Sequence, residues 1–239
     1  MNVSFEGKVV LVAGGTGGLG RAVSLAFLKE GARTVVTYRA DGEFASLQKE
    51  AGATASMVEG HRVDVTDEAA VGQLVNQIVG RFGRLDALVN TVGGYAGGIK
   101  LWDLETKTFE QMLALNLKAG YALSRAAVVP MLKQGFGAIV NVAAKAAVDH
   151  GGGAAAYAAS KAAAVAMMDS LAADVKGTGV RVNSILPSII DTDANRKAMP
   201  GADFASWPKP EDIASVILFL ASDEARVIHG AAIPVYGAS

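Results

Sequence analysis

The chain has no cysteine and only six prolines in 239 residues. Without cysteine there is no disulfide framework and no thiolate nucleophile. No proline-rich, serine-rich or charge-block stretch separates one part from another, so one domain over 1–239 is expected. Excess charge is missing too. Lys and Arg total 22 against 23 Asp and Glu, a net charge of −1. That balance gives no basic surface for nucleic acid or an anionic membrane. The three histidines, His61, His150 and His229, lie far apart, and no metal-ligand spacing exists. No apolar run is long enough to span a bilayer, and the N-terminus lacks the order of a targeting signal. A soluble, cytoplasmic protein is expected.

Apolar residues are abundant, at 51% of the chain, enough for a sizeable core. They fall in short runs that read as strands: Val9–Ala13, Thr34–Tyr38, Met57–Val63, Leu85–Asn90, Ala138–Val142, Arg181–Leu186 and Ala232–Val235. Helical patterns lie between them, near 18–30, 42–51, 67–82, 106–134, 155–177 and 209–222. Thr66-Asp67-Glu68 reads as a helix start, with acidic side chains at the positive end of the dipole. This alternation predicts an α/β fold: a single doubly wound parallel sheet of about seven strands with helices on both faces. Ligands of such sheets bind outside the carboxyl ends of the strands. The irregular stretch 188–208, with Pro200 and Pro208, reads as a substrate lid.

Two motifs carry chemistry. The first strand runs into Gly14-Gly-Thr16-Gly-Gly18-Leu19-Gly20 and then a helix. Strand, glycine turn and helix together aim backbone N–H groups at a pyrophosphate. The second motif is Tyr157-Ala-Ala-Ser-Lys161. Residues i and i+4 share a helix face. An ammonium beside a phenol favours the ionised form, so the Tyr157 pKa is expected to fall toward neutrality and let the phenol exchange a proton.

With both motifs in order, the chain resembles the short-chain dehydrogenase/reductase family over essentially its whole length. Ala13-Gly14 through Gly20 resembles the family's glycine turn, with Ala in place of Thr. Asp64-Val65 matches its adenine-side Asp, and Asn90-Thr-Val-Gly93 its motif after the fourth strand. Asn116 matches the helical Asn of a proton relay through water. Pro187, Ile189 and Thr192 fall in the segment that holds the nicotinamide amide, with Ser188 in place of Gly. The resemblance implies Tyr157, Lys161 and Asn116 as catalytic residues. Lys161 would also bind the nicotinamide ribose.

One position departs from the family. About thirteen residues before the Tyr, where the family has a Ser that hydrogen-bonds the substrate carbonyl, stands Ala144. A methyl group cannot donate. Dihydropteridine reductases, a branch of the family, share that replacement, and three segments resemble theirs. These are Val92-Gly-Gly-Tyr95-Ala-Gly-Gly98, Ala144-Lys145-Ala-Ala-Val-Asp149, and the run from Asp191 through Asn195 to Trp207, for which no structural reason is evident. A quinonoid dihydropterin is a flat, conjugated C=N system with no isolated ketone to polarise. The resemblance therefore implies a pterin substrate, with Tyr157 as proton donor and Tyr95, Ala144, Lys145 and Asn195 at the substrate. That branch ends its second strand in Asp and favours NADH; here Tyr38-Arg39 follow, and Arg39 suits a 2′-phosphate. NADP(H) is expected over NAD(H).

Trp102, Met167 and Met168 read as core or interface residues. The Ala-rich helix 154–173 permits close helix approach, and with the Asn116 helix it pairs subunits in the family. A homodimer or homotetramer is expected. Two other functions stay open: a short-chain carbonyl or 3-oxoacyl reductase, and a nucleotide-binding regulatory protein whose Ala144 marks lost catalysis.

Overall fold

The computed structural model describes residues 3–238. Its frame is a parallel sheet of seven strands in the order β3-β2-β1-β4-β5-β6-β7. The strands are β1 (Val9–Ala13), β2 (Arg33–Tyr38), β3 (Val58–Arg62), β4 (Ala87–Asn90), β5 (Gly137–Val142), β6 (Val180–Pro187) and β7 (Ala232–Val235). The predicted third and fourth strands run one to two residues too long. Met57 instead ends a 3₁₀ turn over Gly52–Met57, and Asp86 turns its buried carboxylate onto Val9 N just before β4.

The sheet is apolar on both faces because helices cover both. Along β1, Val10 and Val12 point to one side and Val9, Leu11 and Ala13 to the other. The first set packs with Val23 and Phe27 of α1 (Gly18–Lys29) and with Ile213 and Ile217 of α8 (Pro210–Ala221). The second packs with Leu74 and Ile78 of α3 (Glu68–Phe82) and Leu123 of α5 (Ala119–Gln134). Met168 of α6 (Ala155–Asp174) belongs to this second core. Central parallel strands therefore read as continuous apolar runs rather than alternating ones.

Helix ends follow their caps. Asp67 Oδ1 accepts from Ala69 N at 2.9 Å and Ala70 N at 3.1 Å, so α3 begins where the acidic start predicts. It stops at Gly83, φ +74°, in the left-handed region. The stretch expected as one helix over 106–134 is two, α4 (Thr106–Leu113) and α5, joined by a π turn at Ala114–Lys118. Inserted π turns cluster at functional positions, and this one carries Asn116. The irregular stretch 188–208 holds a six-residue helix, α7 (Asp193–Ala198), capped by Thr192 Oγ1. Trp102 is 80% exposed, which removes it from the core. No helix among the described residues is long and apolar enough to cross a membrane.

The chain winds outward from β1 in one direction to β3 and from β4 in the other to β7. Strand order reverses between β1 and β4, and the crevice beyond their carboxyl ends is the binding position of such sheets.

Candidate active site

Three loops meet at that crevice. The turn after β1 opens at Gly14, φ +74°, and Gly17 N donates back to Gly14 O at 3.1 Å. A Cβ on Gly20 would overlap the Gly14 carbonyl, so the helix can start that close to the strand only with glycine. A Cβ on Gly18 would stand 2.8 Å from Thr192 Cγ2, which brings the glycine turn against the segment after β6. Leu19 is buried beneath the turn. Thr16 Oγ1 donates to Glu43 Oε2 at 3.0 Å, a contact that sequence did not reveal.

The rim beside β2 and β3 is charged. The Tyr38 ring stacks on Phe44 of α2 (Asp41–Ala51), with centroids 5.0 Å apart and planes 5° apart. Arg39 is exposed and has no ion pair among the described residues. Asp64 Oδ1 accepts from Thr66 N and Thr66 Oγ1, and these bonds, with a smaller contribution from Arg39, hold its carboxyl below the usual range. Val65 is buried next to it.

The loop after β4 supplies the floor. Asn90 is buried; its Nδ2 donates to Asn141 Oδ1 at 3.0 Å and its Oδ1 accepts from Val92 N at 3.1 Å. Both ends of that amide are occupied by the protein. A Cβ on Gly93 would lie 2.8 Å from Asn116 Oδ1 and 3.1 Å from Lys161 Nζ. Gly93 thus lets the backbone pass beside two predicted catalytic residues. Asn116 pins the next residue: its Oδ1 accepts from Gly94 N at 2.9 Å, and its Nδ2 donates to Gly94 O and to Ser160 Oγ, both at 3.0 Å. Ser160 was not anticipated, although its place beside Lys161 is the one signal it offers.

Lys161 is buried and donates to Val142 O at 2.9 Å. Burial pushes its pKa down from 10.5 to about 8. Tyr157 is half-buried, and its ring stands edge-on to Tyr95, centroids 5.0 Å apart at 78°. The expectation that Lys161 lowers the phenol is not met in the free protein. Burial, aided by the neighbouring Tyr95 phenol, raises Tyr157 to about 12. The lysine ammonium is directed at a carbonyl, and desolvation dominates both groups.

At the end of β5, Ala144 is buried and presents a methyl group. Lys145 follows; its Nζ stands 5.2 Å from the centroid of the Tyr236 ring. Beyond β6, Pro187 ends the strand and Ile189 is 42% exposed. Thr192 Oγ1 accepts from Asn195 N at 3.3 Å, while Asn195 Nδ2 donates to Ile190 O at 2.8 Å. The Asn195 amide therefore braces its own loop.

The run 191–207 does have a structural reason. Arg196 grips Asp191 with two bonds, the longer at 2.7 Å, and its guanidinium lies 5.0 Å from the Phe204 ring. Phe204 in turn contacts the buried Trp207, centroids 5.0 Å apart. Acid, cation and two rings lock the segment as one unit.

A family model described as short chain dehydrogenase matches residues 8–203. The chain is 33% identical to the 3-oxoacyl-acyl-carrier-protein reductase FabG of Thermotoga maritima, covering 97% of each chain. It is 36% identical to the D-threitol dehydrogenase of Mycolicibacterium smegmatis, over 97% of this chain and 92% of that one. Among solved structures, ElxO with NADP bound superposes with a TM-score of 0.91 at 28% identity, over 96% of this chain and 97% of that one.

Proposed function

The chain belongs to the short-chain dehydrogenase family, and from that premise we propose an NADP(H)-dependent reductase of a flat, conjugated C=N substrate of the quinonoid dihydropterin type. The observation that carries this reading is the pair Ala144 and Tyr95, in the segments after β5 and β4. Ala144 offers a methyl where a carbonyl reductase needs a donor, and Tyr95, 71% exposed, offers a ring face at the mouth. Such a mouth fits a flat aromatic better than an isolated ketone.

The residues fit a nicotinamide dinucleotide. A Cβ on Gly18, Gly20 or Gly93 would run into Thr192, the Gly14 carbonyl, or Asn116 and Lys161, so glycine lets the three segments that would surround the cofactor close on one another. Amides of Gly14–Gly20 would hold the pyrophosphate. Asp64 and Val65 would flank the adenine, with the backbones of Asn90 and Gly93 under the ribose. Lys161 would bind the nicotinamide ribose, and Pro187, Ile189 and Thr192 would hold the carboxamide. When bound, the cofactor supplies a hydride. Arg39, exposed and with no carboxylate within ion-pair distance among the described residues, supports a 2′-phosphate, as does the NADP-bound neighbour. Glu43 brings a carboxylate to the same rim through Thr16, so preference rests on the balance of these two charges.

Tyr157 acts as the acid. A phenol with a pKa of about 12 is fully protonated at neutral pH, the state a donor requires. Asn116 holds Gly94, and with it the Tyr95 loop, over the phenol. The segment 188–208, braced by Asp191 and Arg196, would move as a lid and exclude water.

A second reading, reduction of small ketones or 3-oxoacyl thioesters, draws on the activities named for the two relatives. The intact Tyr157, Lys161 and Asn116 arrangement argues against a protein that has lost catalysis. A substrate panel with NADPH separates the two enzymes. Turnover of chemically generated quinonoid dihydropterin is expected to exceed that of acetoacetyl thioesters and simple ketones. The reverse order would assign the chain to carbonyl reduction.

A further inference from the structure

We propose that Lys145 is a further catalytic residue, whose ammonium offsets the negative charge that grows on the conjugated nitrogens of the substrate as hydride arrives. The inference rests on the reductase reading above and states how that same site polarises its substrate.

Placement comes first. Ala144 is extended (φ −167°, ψ 160°) and buried at the carboxyl end of β5. Lys145 then begins a 3₁₀ turn over Lys145–Ala147. Its side chain leaves from the edge of the sheet where the crevice lies, one residue beyond the missing hydroxyl.

Its partners come second. Lys145 is half-buried, and no carboxylate lies within ion-pair reach of it among the described residues. Its ammonium stands over the Tyr236 ring, 5.2 Å from Nζ to the centroid. A π face attracts a cation without neutralising it. The other lysine of the site differs: Lys161 already donates to Val142 O. Lys145 is the cation with donors to offer.

Its support comes third. Tyr236 packs against the cluster of Ala143, Ala147 and Leu186. Its carbonyl accepts from Ser188 Oγ at 2.7 Å. The ring is thereby tied both to the end of β5 and to the segment after β6, so Tyr236 positions Lys145 between the two.

The chemistry needs such a charge. Hydride delivered to the ring nitrogen of the conjugated C=N forms one N–H bond and shifts an electron pair through the ring onto a second nitrogen, while NADPH becomes NADP⁺. Negative charge grows on that second nitrogen until Tyr157 gives up its proton and a second N–H bond forms. Lys145 forms no covalent bond. Its ammonium offsets the growing charge, in surroundings where a partly desolvated cation acts more strongly than in water. On a ketone the same group would face the developing alkoxide.

The test uses the full chain as Lys145→Met, Lys145→Arg, Tyr236→Leu and Tyr236→Phe. NADPH binding is followed by fluorescence, and steady-state rates are measured on quinonoid dihydropterin and on a small ketone. Lys145→Met, which keeps the side chain out to Cε and removes the ammonium, is expected to lose about 10²-fold in kcat, the lower end for loss of a donor aimed at developing charge. NADPH affinity should stay within twofold. Lys145→Arg should recover most of the rate and Tyr236→Phe nearly all of it, whereas Tyr236→Leu should lower kcat more than it raises KM. If wild type reduces pterin and Lys145→Met matches it within twofold, Lys145 is not the donor and the pterin reading stands. If wild type reduces only the ketone, the pterin reading fails, and a loss of kcat on ketone in Lys145→Met still upholds Lys145. An unchanged ketone rate in that variant, or a wild type that turns over neither substrate, overturns the proposal.

Discussion

At the amino ends of β1, β4 and β6, charged groups close on one another. Asp86 accepts from Val9 N at 2.8 Å and from Arg84 through two bonds. Arg181 donates to Ser222 O at 2.8 Å and toward Ile228 O. Lys8 reaches both Asp86 and Asp223 at 3.8 Å, around a cavity of about 160 Å³. At the carboxyl ends of the same strands the groups stay open. Arg39 and Lys145 have no carboxylate within ion-pair distance among the described residues, and Tyr157 is half-buried beside an exposed ring. One edge completes its polar bonds within the chain and serves stability. The other leaves them incomplete and waits for ligands. Evolved sites commonly give up stability in this way.

The comparison breaks most readily at Tyr157. Tyr157→Phe should fold as wild type, bind NADPH with unchanged affinity and lose turnover by about 10²-fold or more, the usual range for a missing proton donor. Turnover equal to wild type on every substrate would remove the phenol from the mechanism. The mirror experiment is Asp86→Ala. It should lower unfolding free energy by about 3 kcal/mol in a denaturant titration, since Arg84 and Val9 N lose their acceptor, yet leave NADPH affinity alone. A variant as stable as wild type would mean that the amino edge is not what the bonding pattern implies.

Lys161 sharpens the contrast because it belongs to the open edge and yet is buried. Its folded pKa of about 8 lies below its ordinary 10.5. Between those values the unfolded chain binds more protons than the folded one, so stability should rise with pH across that window. Tyr157, raised from 10.0 to about 12, acts oppositely, and stability should fall across pH 10 to 12. Lys161→Met should abolish the lower-pH rise. It should also gain roughly 2 kcal/mol at pH 7, an upper bound of about 3 kcal/mol from the shift less about 1 kcal/mol for the lost bond to Val142 O. Thermal melts from pH 7 to 11 read both effects. The smallest change concerns the rim: Arg39→Ala should weaken NADPH about tenfold, as expected for one exposed charge-assisted contact, with NADH affinity unchanged. Equal losses for both cofactors would place Arg39 away from the 2′-phosphate.

Much of this frame is legible in residue order. Central strands such as β1 and β6 show as apolar runs because helices cover both their faces. The glycine turn shows because only glycine allows α1 to begin against Gly14 O. What escaped depends on contacts between distant parts of the chain. The π turn at Asn116 sits in sequence that is helical throughout. The six residues of α7, four polar and two alanine, have no apolar period, and only Thr192 marks the start. The Arg196 bridge to Phe204 and Asp191 turns a run that looked like a substrate signature into a brace, so its likeness to pterin reductases argues less for substrate than Ala144 and Tyr95 do. The Tyr157 phenol was misjudged because i, i+4 spacing places the lysine on the same face but says nothing of burial. Lys145 and Tyr236 meet only through the order of β5, β6 and β7.

The central claim is that the open edge is shaped for a conjugated ring rather than for a carbonyl, and Ala144 is where the two differ by one atom. The direct measurement is the ratio of kcat/KM for quinonoid dihydropterin to that for a small ketone, in wild type and in Ala144→Ser, with NADPH saturating. The ratio should favour pterin in wild type and fall in the variant, because the new hydroxyl assists only the alkoxide while the pterin rate holds within a few-fold. A wild type that prefers the ketone, or a serine variant that leaves the ratio where it was, would contradict the account.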